Sequence, residues 1–257
     1  MEKINKLKKI FKSKKIDGYI IPKNDEFFGE YLPDHQDRLK YISNFSGSYG
    51  FALILNNKNY LFVDGRYTLQ ANKQSGKSFE IKTIPKNMPS NILANKSFKI
   101  GFDPKLFTRK NLKIFFGKTK CKYISLDKNL VDQIWKRKKN IANGKFYKLP
   151  NTSVGENYKS KIKKIVSKIK KNNADIQFVT ASENNAWLLN IRGNDSLYTP
   201  IPNSYILIDK EKNVMFFCDL KKISPSFKKK FNKIKFIDVK HISKILSTIK
   251  KKKIIID

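Results

Sequence analysis

An internal repeat is the feature that most constrains the fold of this chain. Tyr41–Gly47 (YISNFSG) and Trp187–Gly193 (WLLNIRG) share one pattern of residue types: aromatic, apolar, any, Asn, apolar, any, Gly. The two copies are offset by 146 residues (190 − 44 and 193 − 47). An apolar hairpin follows each copy, over residues 51–64 and 205–219, and a helix and a strand precede each. Two tandem copies of one α/β fold explain this order better than a single large domain.

The patterns within the first half predict helices that alternate with short strands. Ile4, Leu7 and Phe11 recur at helical spacing, with Lys on the opposite face. The predicted elements are helices at 3–15, 38–43, 66–74 and 109–116, and strands at 19–21, 51–55, 60–63, 79–84, 99–102 and 122–125. This alternation, with one hairpin, predicts an α/β domain built on a mixed sheet.

Residues 136–152 are expected to join the two halves, because basic, Asn-Gly and Pro-Asn segments replace the apolar pattern there. The domains are therefore predicted to span residues 1–150 and 151–257. The second is predicted to contain helices at 153–171, 182–190 and 241–249, and strands at 175–180, 205–208, 214–217, 236–239 and 254–257. In the first half, a helix and another strand follow the strand that ends at Asp103. No counterpart follows Ile255-Ile256-Asp257, so the second domain is expected to be incomplete at its C-terminus.

Composition excludes several classes of protein. The 257 residues include 55 Lys+Arg and 21 Asp+Glu, a formal net charge of +34, yet 40% are hydrophobic and 12% aromatic, which is too apolar for a disordered chain. No apolar run approaches the roughly 20 residues of a membrane span. Cys121 and Cys218 lie in separate strand-like segments, so reduced thiols and a cytoplasmic location are expected.

The positive charge is interpreted as a compositional background. Of the 55 basic residues, 50 are Lys, spread along the chain. Nucleic-acid sites instead favour Arg and concentrate their charge on one face. Non-specific, salt-sensitive binding to nucleic acid stays open as an alternative function.

Few residues are arranged for chemistry. Asp34, His35 and Asp37 form one acid–His–acid cluster, but their spacing on a polar loop gives no shared face, so a solvated loop is expected rather than a metal site. Neither Cys has a His nearby in the sequence, and no Ser lies in a Gly-x-Ser-x-Gly motif.

Asp64-Gly65-Arg66 is more informative, because it lies where the first hairpin ends and a helix begins. Asp64 is expected to cap that helix, and Arg66 to project from its first turn. Arg66 has two open interpretations, namely a local ion pair or use of its planar fork to bind a ligand or partner. Arg192 and Asp195 invite the same comparison. The pattern alone favours a core position for Trp187.

The ordered motifs resemble the creatinase-type N-terminal domains of Xaa-Pro aminopeptidases, over essentially the whole chain. The matching segments are Asp25-Glu26, Glu30-Tyr31, Arg38, Ser43–Gly50, Asp64–Tyr67, Gln70-Ala71, Gly101–Pro104, Asn129–Trp135, Asn185–Asp195, Tyr198 and Pro200. The resemblance is greatest to the cytosolic three-domain form, and implies two tandem creatinase N-terminal-like domains, each a mixed β-sheet flanked by helices.

The resemblance also implies a function. In this family a third, pita-bread domain carries two manganese ions that activate water against the bond before proline. Nothing in this sequence matches that domain, so the chain is expected to bind no metal and to have no catalytic residue. It is expected to help shape the cleft for a peptide with proline in second position and to contribute subunit contacts in a homodimer. The candidate residues for these roles are Asp64, Arg66, Trp187, Arg192 and Asp195.

Two further alternatives to an N-terminal part of such an enzyme remain open at this point. The first is a free-standing binding or dimerisation module without catalysis. A creatinase or prolidase relative is a second alternative, although proteins of that kind generally carry a single N-terminal domain, whereas this chain shows two.

Overall fold

The computed structural model describes residues 1–137, 144–196 and 198–257. They belong to two compact units, Met1–Asn140 and Ile141–Asp257. Phe146 is buried in the core of the second unit, ahead of the boundary expected after residue 150. None of the described helices is long and apolar enough to cross a membrane.

The first unit is a mixed six-stranded sheet covered by helices on both faces, as the sequence predicts. Its helices are α1 (Glu2–Lys14), α2 (Arg38–Ser43), α3 (Thr68–Ser75), α4 (Pro89–Leu93), α5 (Arg109–Phe116) and α6 (Leu130–Ile134), and its strands are β1 (Gly18–Pro22), β2 (Gly50–Leu55), β3 (Asn59–Asp64), β4 (Glu80–Ile84), β5 (Lys99–Phe102) and β6 (Lys122–Ser125). The strand order is β4-β3-β2-β1-β5-β6. β2 is antiparallel to both β1 and β3, and the other neighbours are parallel.

Alternate residues of the central strands enter two separate cores. Tyr19 and Ile21 of β1 pack with α1, α2, α3 and α6, whereas Ile20 packs with α4 and α5 on the other face. Strands buried on both faces must be apolar at successive positions, which is why β1 and β2 are continuous apolar runs rather than alternating ones.

The second unit repeats this architecture around one large core. Its helices are α7 (Tyr158–Lys171), α8 (Ser182–Leu189), α9 (Pro225–Lys229) and α10 (Ile242–Thr248), and its strands are β7 (Tyr147–Lys148), β8 (Ile176–Val179), β9 (Ile191–Arg192), β10 (Tyr205–Asp209), β11 (Val214–Cys218), β12 (Ile234–Asp238) and β13 (Ile254–Ile256). The main sheet has the order β12-β11-β10-β8-β13, and β7 pairs with β9. Its strands match β4-β3-β2-β1-β5 of the first unit in order and direction.

The helix α7 begins at Tyr158, later than predicted. Asn157 caps it by accepting a hydrogen bond from the Ser160 N–H at 3.0 Å, and a separate 3-10 turn occupies Asn151–Ser153. A residue that bonds its own downstream backbone in this way fixes the start of the helix.

The repeated sequence motif is a helix stop. Asn44 ends α2 and Asn190 ends α8, both in the left-handed conformation (φ 65° and 54°), which Asn adopts more readily than most residues. The apolar residue that follows is fully buried in each copy. At Gly47 a Cβ would lie 2.3 Å from the Phe45 ring, so only Gly fits there. The motif therefore turns the chain sharply from helix toward the next strand.

Candidate functional site

In each unit the candidate residues lie at one end of the sheet, next to the loop that joins the second helix to the following strand of the hairpin. Asp64 is the last residue of β3, beside the loop that leads into β2. Trp187 and Arg192 flank the end of α8, in the corresponding region of the second unit. The carboxyl ends of parallel strands, where loops converge, are the usual place for ligand and partner sites in α/β sheets.

Asp64 and Arg66 form a local, exposed pair. Asp64 caps the following 3-10 turn by accepting the Arg66 N–H at 2.9 Å, as predicted, and Arg66 Nη2 donates to Asp64 Oδ2 at 2.7 Å. The guanidinium lies 5.3 Å from the centroid of the Tyr67 ring, and 74% of the Arg66 side chain is exposed. The hydrogen bond from Arg66 lowers the pKa of Asp64. This pair can present a fixed guanidinium to a partner, but within this chain Arg66 and Asp64 bind each other.

Trp187 is not a core residue. Its indole is 59% exposed, so the expectation from the pattern is wrong, because Ala186, Leu188 and Leu189 supply the buried face of α8. One face of the indole covers the buried ammonium of Lys161, which lies 4.0 Å from the ring centroid. The other side of the ring is open to solvent.

Lys161 of α7 holds the C-terminal end of α8 through two hydrogen bonds. Its Nζ donates to the Trp187 carbonyl oxygen at 2.7 Å and to Asn190 Oδ1 at 2.6 Å. Burial lowers the pKa of Lys161, and the nearby Glu156 carboxylate opposes that shift. Asn190 Nδ2 in turn donates to the Glu156 carbonyl oxygen at 2.8 Å. The Trp187 side chain therefore rests on a support held by three hydrogen bonds.

Arg192 joins Trp187 at this end of α8. Its Nη1 donates to the carbonyl oxygens of Ala186 at 3.3 Å and Ile191 at 2.8 Å. Within the described residues, Arg192 forms no ion pair with a carboxylate. Its guanidinium therefore caps the helix while keeping donors available for another group.

Asp195 has a different environment from the other candidates. Its carboxylate is nearly fully buried, forms an ion pair with Lys222 and accepts the Asn203 N–H at 2.8 Å. The bond from Asn203 joins the two arms of the loop between β9 and β10 at its base, and the ion pair joins that loop to Lys222, which follows β11. Asp195 is therefore a positioning residue for that loop.

Arg38 is the most heavily paired basic residue of the first unit. It is 3% exposed, and donates to both carboxylate oxygens of Asp132, at 2.9 and 3.0 Å, and to Glu26 at 2.6 Å. Burial opposes its charge, but the hydrogen bonds and charges of Asp132 and Glu26 outweigh burial and raise its pKa. The network fastens α6 and the loop after β1 to α2.

The acid–His–acid cluster does not converge. Asp37 is buried, pairs with Lys23 and caps α2, so it is not solvated as expected, whereas Asp34 pairs with Lys40 at 2.7 Å. Among the described residues, no group of three or more His, Cys, Asp or Glu side chains could hold a metal ion. Both cysteines are buried free thiols, and burial raises the pKa of Cys218.

Sequence reasoning missed Lys161. A signal was present, because Tyr158, Ile162, Val166 and Ile169 form the apolar stripe of α7, and Lys161 falls within that stripe. A Lys among core positions indicates a buried partner for its ammonium.

Comparison with known proteins assigns both units to one kind of domain. Residues 3–133 match one family model described as the Creatinase/Prolidase N-terminal domain, and residues 136–257 match a second model with the same description.

The chain is similar to longer proteins. It is 33% identical to Xaa-Pro aminopeptidase 1 of Dictyostelium discoideum, over 88% of this chain and 39% of that protein. It is 28% identical to Xaa-Pro aminopeptidase app-1 of Caenorhabditis elegans, over 91% of this chain and 41% of that protein. The chain thus spans about two fifths of the length of these relatives.

One solved structure resembles nearly the whole chain. It is a crystal structure of X-prolyl aminopeptidase from Caenorhabditis elegans, described as a cytosolic enzyme with a di-nuclear active site. The TM-score is 0.87 at 27% identity, and the match covers 96% of this chain and 43% of that one. Two tandem domains in this order are therefore a shared feature.

Proposed function

We propose a function from one premise: this chain belongs to the creatinase/prolidase N-terminal domain family and carries two of its domains in tandem. The chain is the N-terminal, non-catalytic part of an Xaa-Pro aminopeptidase, a metallopeptidase that removes a residue preceding proline. The observation that carries this proposal is the two-domain match to X-prolyl aminopeptidase over 96% of this chain.

The manganese chemistry of such an enzyme is proposed to lie outside this chain. The described residues bring no three metal-ligating side chains together, so they do not fit a di-nuclear centre, which needs several shared carboxylate and imidazole ligands. We therefore derive no catalytic step from the residues of this chain.

The candidate residues support a role in positioning and contact. Trp187 and Arg192 present a rigid indole and a guanidinium on one surface, and Asp64 and Arg66 present a second guanidinium on the other unit. Aromatic and Arg side chains are enriched in protein interfaces. These residues are proposed to shape the cleft for a peptide with proline in second position and to contact a partner subunit in a homodimeric, cytoplasmic enzyme. Asp195 is proposed to hold the adjoining loop.

Hydrolysis by the purified chain tests the non-catalytic part of the proposal. The chain is incubated with Mn²⁺ and a peptide that carries proline in second position, and release of the first residue is measured. We expect no release above the rate without protein. Release that depends on Mn²⁺ and on the chain would contradict the proposal.

A further inference from the structure

Lysine is unevenly distributed along this chain, in contrast to the interpretation made from composition. The chain has 50 Lys in 257 residues, yet none occurs in the 38 residues from Asn172 to Asp209. The next-longest run without Lys, residues 41–57, is less than half that length. Burial does not explain the gap, because Glu183, Asn184 and Trp187 of α8 are exposed. Depletion of Lys together with an exposed Trp and a neighbouring Arg is typical of a protein contact surface.

The internal repeat gives Trp187 a counterpart whose ring and carbonyl oxygen also contact a Lys ammonium. Tyr41 occupies its position in the first unit, and Lys3 of α1 takes the place of Lys161 of α7. Lys3 Nζ donates to the Tyr41 carbonyl oxygen at 2.9 Å and lies 4.5 Å from its ring centroid. Both units therefore place an aromatic ring over an ammonium at the end of the second helix.

The two rings differ in what covers their outer side. Trp135, directly after α6, stacks on Tyr41 with ring centroids 4.6 Å apart and an interplanar angle of 16°. α6 packs against α1 and α2, and its residues Leu130 and Val131 are fully buried. Trp187 stacks on no ring among the described residues and is 59% exposed.

We propose that the outer side of Trp187 is a docking site for a short helix of the α6 type, with two adjacent apolar residues and a flat side chain at its end. This inference rests on the proposed function, because the occupant is supplied by the rest of the longer enzyme. The helix lies across α7 and α8 as α6 lies across α1 and α2. The surface of this site, the Trp187 face, consists of Glu183, Asn184, Trp187 and Arg192.

Rigidity of the Trp187 face favours such binding. The carbonyl oxygen and one ring face of Trp187 are already held by Lys161, so docking immobilises little that is free beforehand. Stacked aromatic pairs contribute beyond their buried area, and Trp offers the largest ring for this. None of the four residues that make up the Trp187 face is a Lys, so the face itself presents no long, flexible ammonium side chain to an apolar contact; the seven Lys of α7 are not among its residues.

Asp257 lies next to the Trp187 face, so a segment fused after this residue can reach the proposed docking site. Asn184 Nδ2 donates to Asp257 Oδ2 at 2.7 Å, and Asn184 lies one helical turn from Trp187. The α6 segment, residues 127–137 with Phe in place of its Trp, is fused after Asp257 through a Gly/Ser linker of roughly ten residues, which gives an effective concentration of about 1 mM. The host chain carries Trp135→Phe, so Trp187 is its single Trp. A control fusion has Ser at the two apolar positions and at the aromatic position of the appended segment.

Acrylamide quenching of Trp187 fluorescence is the readout. We expect the quenching constant to be at least about twofold lower in the α6 fusion than in the control fusion, since a stacked ring loses one accessible face. A melting temperature raised by the α6 segment in the Trp187 chain, but not after Trp187→Ala, is the second expected result. Equal quenching in both fusions, or equal melting gains with and without Trp187, would overturn the proposal. Neither readout uses peptidase activity, so the proposed function can fail independently.

Discussion

The ammonium of Lys161 lies 4.0 Å from the centroid of the Trp187 ring and donates to the carbonyl oxygen of the same residue at 2.7 Å. One buried cation therefore holds both the side chain and the backbone of an exposed aromatic residue. Because Lys3 and Tyr41 repeat this arrangement in the first unit, it is a shared element of the two domains.

Removal of this ammonium should destabilise the second unit. Lys161→Met leaves the acceptors on Trp187 and Asn190 without their buried donor, for an expected loss of about 2 kcal/mol in free energy of unfolding. Lys163→Met, at an exposed position of the same helix, is the control and should change stability by less than about 0.5 kcal/mol. Urea unfolding of the Trp135→Phe chain, followed by Trp187 fluorescence, measures both. Equal stability of the two variants would contradict the assigned role.

The two helix-stop residues should respond differently to the same substitution. Gly accepts the left-handed backbone of either position, so Asn44→Gly should change stability by less than about 0.5 kcal/mol. Asn190→Gly also removes the side chain that binds Lys161 and the Glu156 carbonyl oxygen, so it should cost about 2 kcal/mol. Thermal unfolding of both variants makes the comparison. A cost at Asn44 as large as that at Asn190 would mean that the backbone alone sets the requirement.

Arg38 and Arg66 of the first unit should also differ in how much each contributes to stability. Arg38→Met removes a charged partner of Glu26 and one of the two arginines that pair with Asp132, for an expected loss of about 2 kcal/mol, reduced from the cost of a fully buried pair because both carboxylates are about one-third exposed. Arg66→Met removes an exposed local pair and should cost less than about 0.5 kcal/mol. Chemical denaturation tests both. A larger loss at Arg66 would show that this residue is structural rather than available for contact.

Asp25 should make stability depend on pH in the direction opposite to Asp64. Burial raises the pKa of Asp25, so its contribution is fully present below the unfolded pKa and is lost as pH rises through the folded pKa. Asp25→Asn keeps an acceptor for the N–H groups of Phe27 and Gly29. Its stability relative to the wild type should therefore increase between about pH 3 and pH 7.

Asp64→Asn is the matched control for Asp25. The hydrogen bond from Arg66 lowers the pKa of Asp64, so its contribution is present above the unfolded pKa and is lost as pH falls through the folded pKa. The stability of this variant relative to the wild type should decrease over the same rise in pH. Parallel pH profiles for the two variants would contradict the assigned environments.

The repeat predicts the two α/β domains because the same residue types end a helix and start a strand in both halves. Asp64 was predictable as a cap, since one residue and its neighbours set that geometry. The five-residue helices α4, α6 and α9 were not predicted, because so short a segment has little periodicity. The exposure of Trp187 and the burial of Lys161 depend on contacts between α7 and α8, which are distant in sequence. The local pattern therefore placed Trp187 on the wrong side of the surface, and the position of Lys161 in the apolar stripe of α7 was a local sign of its burial.

Activity of a chimeric enzyme tests the central claim most directly. The matching region of Dictyostelium discoideum Xaa-Pro aminopeptidase 1, to which this chain is 33% identical, is replaced by this chain, and kcat/KM is measured with Mn²⁺ and a peptide that carries proline in second position. We predict a value within about 100-fold of the parent enzyme, and at least about 100-fold above the parent with that region deleted. A folded chimera no more active than the deletion would contradict the claim that this chain is the supporting N-terminal part of such an enzyme.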